Sequence, residues 1–226
     1  MKSDQVYMDW NASAPICSAA LSAIYEAFNV VGNPSSAHLN GRGAKKLLEN
    51  ARNELAEVLV VEPDDIVFTS GATEAASLVL SEQLTLSAEI EHDCVSAWTN
   101  NVLKTDSFGM VNVLRPQNTT LQMANSETGI IQNLPAGLFC TDLVQAFGKI
   151  PIEIGQLFAD YSIISSHKIG GPVGSGAVIS KKLDCLKTMF KGGQQEGGVR
   201  AGTENLPAIM GFVAAAKFAK NNLELG

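Results

Sequence analysis

The feature that most constrains this chain is an alternation of short apolar runs with segments of helical periodicity. Over residues 43–60 the apolar positions Leu47, Leu48, Ala51, Leu55, Val58 and Leu59 recur at helical spacing, with charges on the other face. A turn at Glu62-Pro63-Asp64-Asp65 leads to Ile66-Val67-Phe68-Thr69, which reads as a buried strand, and Gly71-Ala72-Thr73-Glu74 begins another helix. Strands follow near 85–90, 120–124, 137–141 and 161–165, with helices near 92–103 and 142–148. A further strand falls within 173–180, in a Gly-rich setting, and a long final helix spans 205–223. Upstream, 6–9 is extended, and Pro15 opens an Ala-rich helix to about Val30 that Gly32-Asn33-Pro34-Ser35-Ser36 breaks. Strand-helix alternation of this kind predicts an α/β fold, a mostly parallel sheet with helices on both faces.

Composition agrees with one sizeable core and narrows the partners. The chain has 226 residues, 46% of them hydrophobic, which excludes disorder as its main description. Its formal charge of −7 argues against a nucleic-acid or anionic-membrane surface. Lys181, Lys182, Lys187 and Lys191 form a small basic run that reads as a solvated face. Met1-Lys2-Ser3-Asp4-Gln5 has no secretory signal, and the apolar stretch 206–216 is about half of what a membrane helix requires. Cys17, Cys94, Cys140 and Cys185 are widely separated, without a C-x-x-C pair or the histidines of a zinc site. They read as buried free thiols in a reducing cytoplasm.

In an open parallel sheet, ligands collect at the carboxyl ends of the strands, and four places there carry suitable chemistry. Ser70-Gly71-Ala72-Thr73 runs from a strand into a helix N-terminus, whose backbone N–H groups and dipole can cradle a phosphate with Thr73 as an added donor. The same residues also make an ordinary turn and cap. Asp142 ends an apolar segment, with Gln145 three residues on along the same helical face. A carboxylate there can hold a protonated ring nitrogen, or simply cap a helix. Lys168 lies between the 161–165 strand and Gly170-Gly171-Pro172. It reads either as an exposed loop residue or, if desolvated, as a neutral amine able to form an imine with an aldehyde. His92, after the 85–90 strand, can stack on a planar ligand or cap the next helix. Together the four suggest one ligand with an aldehyde, a basic ring nitrogen and a phosphate. Pyridoxal 5′-phosphate has all three.

Seven stretches carry a family resemblance: Tyr7-Met8-Asp9-Trp10-Asn11-Ala12, Gly32-Asn33-Pro34-Ser35-Ser36-Ala37-His38, Thr69-Ser70-Gly71-Ala72-Thr73-Glu74, Asn125-Ser126-Glu127-Thr128-Gly129, Asp142-Leu143-Val144-Gln145, Ser165-Ser166-His167-Lys168 and Arg200-Ala201-Gly202-Thr203-Glu204-Asn205. In this order they resemble the class V aminotransferase group of fold-type I pyridoxal-phosphate enzymes, and within it the cysteine desulfurases of the NifS/IscS type. The resemblance implies an N-terminal arm over 1–14 and a cofactor-binding large domain over 15–226. It implies Lys168 as the imine lysine and proton shuttle, and His92 stacked on the ring. Asp142 would face the pyridinium nitrogen and Gln145 the ring hydroxyl. Ala72, Thr73, Ser165 and His167 would bind the phosphate, and Ser126 would face the cofactor or substrate. Thr203 would reach the phosphate of the neighbouring subunit in a homodimer, with Arg200 a weaker candidate at that interface.

Three departures accompany the matches. Ser126 stands where the family usually has Asn, so a cofactor or substrate contact is lost or bridged by water. The connections from Thr73 to His92 and from His92 to Ser126 are short for the family. The family's sulfur-accepting cysteine and substrate-carboxylate arginine belong to a C-terminal small domain, and this chain stops at Gly226, near where that domain would begin. The implied activity is conversion of L-cysteine to L-alanine, with sulfur passed to an acceptor protein for iron-sulfur or thio-cofactor assembly. A separate chain could carry the remaining domain. The alternatives are a lyase or aminotransferase that needs no catalytic cysteine, and a non-catalytic paralogue retaining the fold.

Overall fold

A computed structural model describes residues 6–223 of the chain; the segment read as lacking a secretory signal, 1–5, lies outside them. The strands are β1 (Ile66–Thr69), β2 (Leu86–Ala88), β3 (Asn100–Leu103), β4 (Thr119–Gln122), β5 (Cys140–Asp142), β6 (Tyr161–Ser165) and β7 (Gly176–Ile179). The helices are α1 (Ser18–Phe28), α2 (Leu39–Leu59), α3 (Ala72–Leu80), α4 (Asp93–Ser96) and α5 (Leu206–Asn222). The strands form one sheet in the order β1-β7-β6-β5-β4-β2-β3. Within it β3, β2, β4, β5 and β6 run parallel, while β7 lies antiparallel to both β6 and β1. Six strands therefore share one direction, as the alternation predicts, and their carboxyl ends meet along one edge.

Alternate residues of the strands separate two apolar layers, because successive side chains leave opposite faces of a sheet. Ile66, Phe68, Ile164, Ala177 and Ile179 pack with Ala44, Leu48, Leu55 and Leu59 of α2 and with Ile209, Phe212 and Val213 of α5. Val67, Ile163 and Val178 pack with Ala75, Ala76, Val79 and Leu80 of α3. A smaller cluster of Ala88, Leu121 and Leu138 lies beneath the β2–β4 side. No helix among the described residues is long and apolar enough to cross a membrane.

Four expected elements differ. The helix expected over 92–103 is one turn, α4, followed by β3. Thr99 and Asn100 are weak helix formers, and Asn100 N–H instead donates to Thr85 O (2.9 Å), starting the pairing with β2. The helix expected at 142–148 is a run of turns, with Phe147 N–H donating to Leu143 O (2.7 Å) before Gly148, at φ 69°, reverses the backbone. The strand expected at 137–141 starts only at Cys140, because Gly137 takes φ 81°. Residues 6–9 belong to no strand; this segment instead runs toward the carboxyl edge of the sheet, where Ala14 N–H donates to His167 O (2.9 Å).

Candidate active site

The carboxyl ends of β1, β2, β4, β5 and β6 open onto one cavity of about 910 Å³. Its wall includes Ala72, Thr73, His92, Ser126, Asp142, Gln145, Ser165, His167 and Lys168. Residues up to about 95 positions apart in sequence are thus gathered by strand order alone. Thr203 is not among them; it is exposed and lines a smaller adjoining cleft that shares Ser70 and Gly174 with the main cavity.

Between β1 and α3 the backbone turns at Gly71, whose φ of 152° is a conformation L side chains rarely adopt. β7 passes directly beneath: a Cβ on Gly176 would lie 2.8 Å from Gly71 Cα. The first N–H groups of α3 have no partner inside the helix, and Ala72 and Thr73 at its start line the cavity, an arrangement that can bind an anion. Glu74 closes the turn, its Oε2 accepting from Ser70 N–H at 2.6 Å.

Asp142 is the last residue of β5 and is buried. Among the described residues, one hydrogen bond reaches its carboxylate, from Val144 N–H to Oδ1 (2.8 Å), so the second oxygen is left for a ligand donor. Burial pushes its pKa up, while Val144 N–H, His92 and Lys168 oppose that rise. On the neighbouring parallel strand, β6 ends at Ser165 and a single 3-10 turn delivers Lys168 to the same edge. The Lys168 ammonium donates to Asn11 O (2.5 Å) and Ala12 O (2.9 Å) of the N-terminal segment. Burial draws the Lys168 amine below the ordinary lysine range, with Asp142 and Asp9 pulling the other way. Ser165 Oγ lies 2.9 Å from His167 Nδ1, and burial together with Lys168 and Lys149 lowers the His167 pKa.

His92 caps a helix, one of the two readings made of it, and also faces the cavity. Its Nδ1 accepts from Cys94 N–H (3.1 Å) as the N-cap of α4, and its ring lines the cavity. Gln145 donates to Asn11 O (2.9 Å), and its Oε1 accepts from Lys149. Ser126 contributes its carbonyl, which accepts from Asn11 Nδ2 at 2.9 Å.

Several wall residues carry no separate signal in the sequence. Asp9, Asn11 and Ala12 come from the N-terminal segment, and Gln122 from the end of β4. Cys94 also lines the cavity, but burial and the nearby Asp142 push its thiol up to about 12. Glu91, just before His92, is buried with Oε1 accepting from Gln122 N–H (2.8 Å) and Oε2 without a partner among the described residues, and burial raises its pKa well above the ordinary value. Glu74 directly follows Thr73 and Glu91 directly precedes His92, so adjacency to a residue already singled out was the available signal for both.

A mostly parallel sheet with helices on both faces that presents a lysine, a buried carboxylate and a helix N-terminus to one cavity has the chemistry to take a small anionic ligand with a carbonyl and a basic nitrogen. The chain belongs to the class V aminotransferase family, whose model matches residues 6–101 and 110–225. It is similar to the cysteine desulfurase IscS of Rickettsia prowazekii, at 31% identity over 97% of this chain and 63% of the relative. It is also similar to the X-ray structure of a NifS-like protein from Rickettsia africae, with a TM-score of 0.88 and 33% identity over 97% of this chain and 70% of that one. A structure of SspA in complex with cysteine gives a TM-score of 0.83 at 28% identity, covering 94% of this chain and 72% of that one. The chain thus spans less than two thirds of the length of the curated relative.

Proposed function

We propose that this chain is the cofactor-holding part of a pyridoxal-phosphate-dependent cysteine desulfurase. The observation that carries the reading is the placement of Asp142 at the end of β5 and of Lys168 in the turn after the neighbouring parallel strand β6, facing one cavity with the N-terminus of α3. The donor set fits the cofactor. The α3 turn would take the phosphate with Ala72, Thr73, Ser165 and His167, and Asp142 has an oxygen unengaged by protein donors. A cationic ring nitrogen beside Asp142 would offset the burial that now raises its pKa.

Bound pyridoxal phosphate supplies an electron sink for the pair left at a substrate α-carbon. The chain's own residues do the rest. Asp142, as carboxylate, holds the ring nitrogen proton in place. Lys168, its amine lowered by burial, takes and returns the proton at the α-carbon. His92 would cover one ring face, Gln145 would hydrogen-bond the ring hydroxyl, and Ser126 would lie beside the substrate. Across a homodimer interface, exposed Thr203 would contact the other subunit's phosphate.

L-cysteine is the proposed substrate because the similar proteins are cysteine desulfurases and one neighbour holds cysteine. The balanced reaction takes L-cysteine and an acceptor thiol to L-alanine and a persulfide. The Cys94 thiol, pushed up to about 12, is a poor acceptor, and Cys17, Cys140 and Cys185 do not line the cavity, so we assign that role to a thiol supplied from outside these 226 residues. The same observation favours, as second reading, a lyase or aminotransferase that needs no acceptor thiol. Cys17, Cys94, Cys140 and Cys185 are free thiols, which supports a reducing compartment such as the cytoplasm, although Cys185 is exposed where a buried thiol was expected; delivery of the sulfur to iron-sulfur assembly is part of the same proposal.

The test incubates purified protein with pyridoxal phosphate, reduces it with borohydride and maps the modified residue by mass spectrometry. Modification at Lys168, absent in Lys168→Ala, supports the cofactor assignment, and an unmodified protein refutes it. Alanine and persulfide from L-cysteine in the presence of a dithiol support the desulfurase reading. Pyruvate or an oxo acid in their place establishes the second reading.

A further inference from the structure

Glu74 presents a physical conflict at the phosphate-binding turn. It occupies the first turn of α3 and accepts from Ser70 N–H at 2.6 Å, so its carboxylate fixes the turn. That same negative charge lies beside the position assigned to a phosphate dianion, and like charges at a helix N-terminus repel. The carboxylate nevertheless stays ionised: burial pushes its pKa up, but Arg200 and Ser70 outweigh burial and hold it below the ordinary value.

Arg200 resolves the conflict. Its Nε donates to Glu74 Oε1 at 2.8 Å and its Nη2 to Oε2 at 3.5 Å, so one guanidinium spans both oxygens. The pair is largely shielded, with side-chain exposures of 22% for Arg200 and 11% for Glu74. Arg200 sits on a separate loop that is itself fastened: Nη1 donates to Gly202 O (3.4 Å), and Gly202 N–H donates to Gln195 Oε1 (3.1 Å). The preceding Glu196 is locked to Arg52 and to Phe68 N–H (2.7 Å). The guanidinium is thus held rigidly against a carboxylate whose only other service is to shape the turn.

We infer that Arg200 is a positioning residue for the phosphate: it cancels the charge of Glu74, so that the carboxylate can fix the Ser70–Thr73 turn without repelling the dianion. The inference rests on the assignment of the phosphate to this turn. The resemblance offers Arg200 as a weaker candidate at a subunit interface; the role inferred here is a separate one, within its own chain. A side chain that never touches the ligand in this way decides whether the site prefers a phosphorylated aldehyde to the bare one.

The test measures equilibrium binding of pyridoxal phosphate and of pyridoxal to the wild type, Arg200→Gln, Glu74→Gln and the double variant. Their ratio reports the phosphate alone. Arg200→Gln should lower the phosphate preference about tenfold, with the loss shrinking as salt rises. Glu74→Gln keeps an acceptor for Ser70 N–H and leaves a free cation, so its preference should match or exceed the wild type. The double variant should recover to near the wild-type ratio. A pair that served only to hold the loop would instead lose preference equally in both single variants, without recovery in the double, and that result overturns the inference while leaving the site assignment intact. A wild type that binds both ligands equally overturns the site assignment and the inference with it. Thermal melting of each variant separates unfolding from loss of preference, and Arg200→Lys, which keeps the charge, should retain most of the preference if the protein melts as the wild type does.

Discussion

Arg52→Met is expected to be the most damaging single change outside the cavity. Arg52, on α2, is 8% exposed, and the Glu196 side chain it meets is 1% exposed. Nη2 donates to Glu196 Oε1 at 2.6 Å and Nη1 to Oε2 at 3.0 Å, a bidentate fork, while Nη1 also donates to Ile66 O at 2.7 Å. The guanidinium carbon lies 4.9 Å from the centre of the Phe68 ring. Methionine preserves much of the apolar stem but leaves the Glu196 carboxylate buried with Phe68 N–H as its remaining donor. Removing one partner of a buried ion pair costs about 3–5 kcal/mol. For a chain of this length that corresponds to a fall in Tm of about 6–20 °C. Urea unfolding followed by circular dichroism should give the free energy, and Arg52→Lys should lose less because it keeps the charge without the planar fork. Arg52→Met/Glu196→Gln should recover part of the loss, since the buried charge is then gone. A loss below about 1 kcal/mol in Arg52→Met would refute the argument that the pair is desolvated and indispensable.

Two further outcomes follow from the geometry. Gly176→Ala would place a Cβ 2.7 Å from Ile164 O and 2.8 Å from Gly71 Cα, backbone atoms that cannot swing aside, so it should cost about 1–3 kcal/mol and weaken pyridoxal phosphate binding; Gly43→Ala, with nothing within 4 Å, should be neutral or mildly stabilising. For Glu91 the folded pKa lies well above its ordinary value of 4.5, so the unfolded chain releases a proton that the folded one keeps; stability should decline as pH rises from about 4.5 toward the folded value, and Glu91→Gln should flatten that slope in urea midpoints measured from pH 5 to 8.

How much of this could be read from residues alone depends on the range of the forces involved. α2 and β1 were legible because their burial pattern is local: Leu48, Ala51, Leu55 and Leu59 share a helix face, and Ile66, Val67 and Phe68 run in succession, all buried. β3 was not, because Asn100, Asn101 and Val102 are exposed at the sheet edge and acquire strand character only from β2. Of the site, Asp142, Lys168 and Thr73 stood out as polar residues following apolar runs. The carbonyls of Asn11 and Ala12 that hold Lys168 left no trace, since backbone acceptors carry no residue-type signal. Arg200 was visible as part of a motif, but its partner Glu74 lies 126 positions away, and the pairing exists only once β1 and the 195–205 loop have been brought together.

The reversed direction of β7 has a consequence for the order of assembly during synthesis. β1 borders the sheet only through β7, pairing Ile66 with Ile179, so its partner leaves the ribosome roughly a hundred residues later. At about 5–20 residues per second, that interval lasts on the order of 5–20 s. β4, β5 and β6 can zip together as each appears, because they are sequential neighbours. Ile66-Val67-Phe68-Thr69, by contrast, must wait as an unpaired apolar segment, the kind of edge that recruits chaperones or other nascent chains. When β7 arrives it seals both flanks at once, so the lysine side and the phosphate side of the pocket come into being in a single late event.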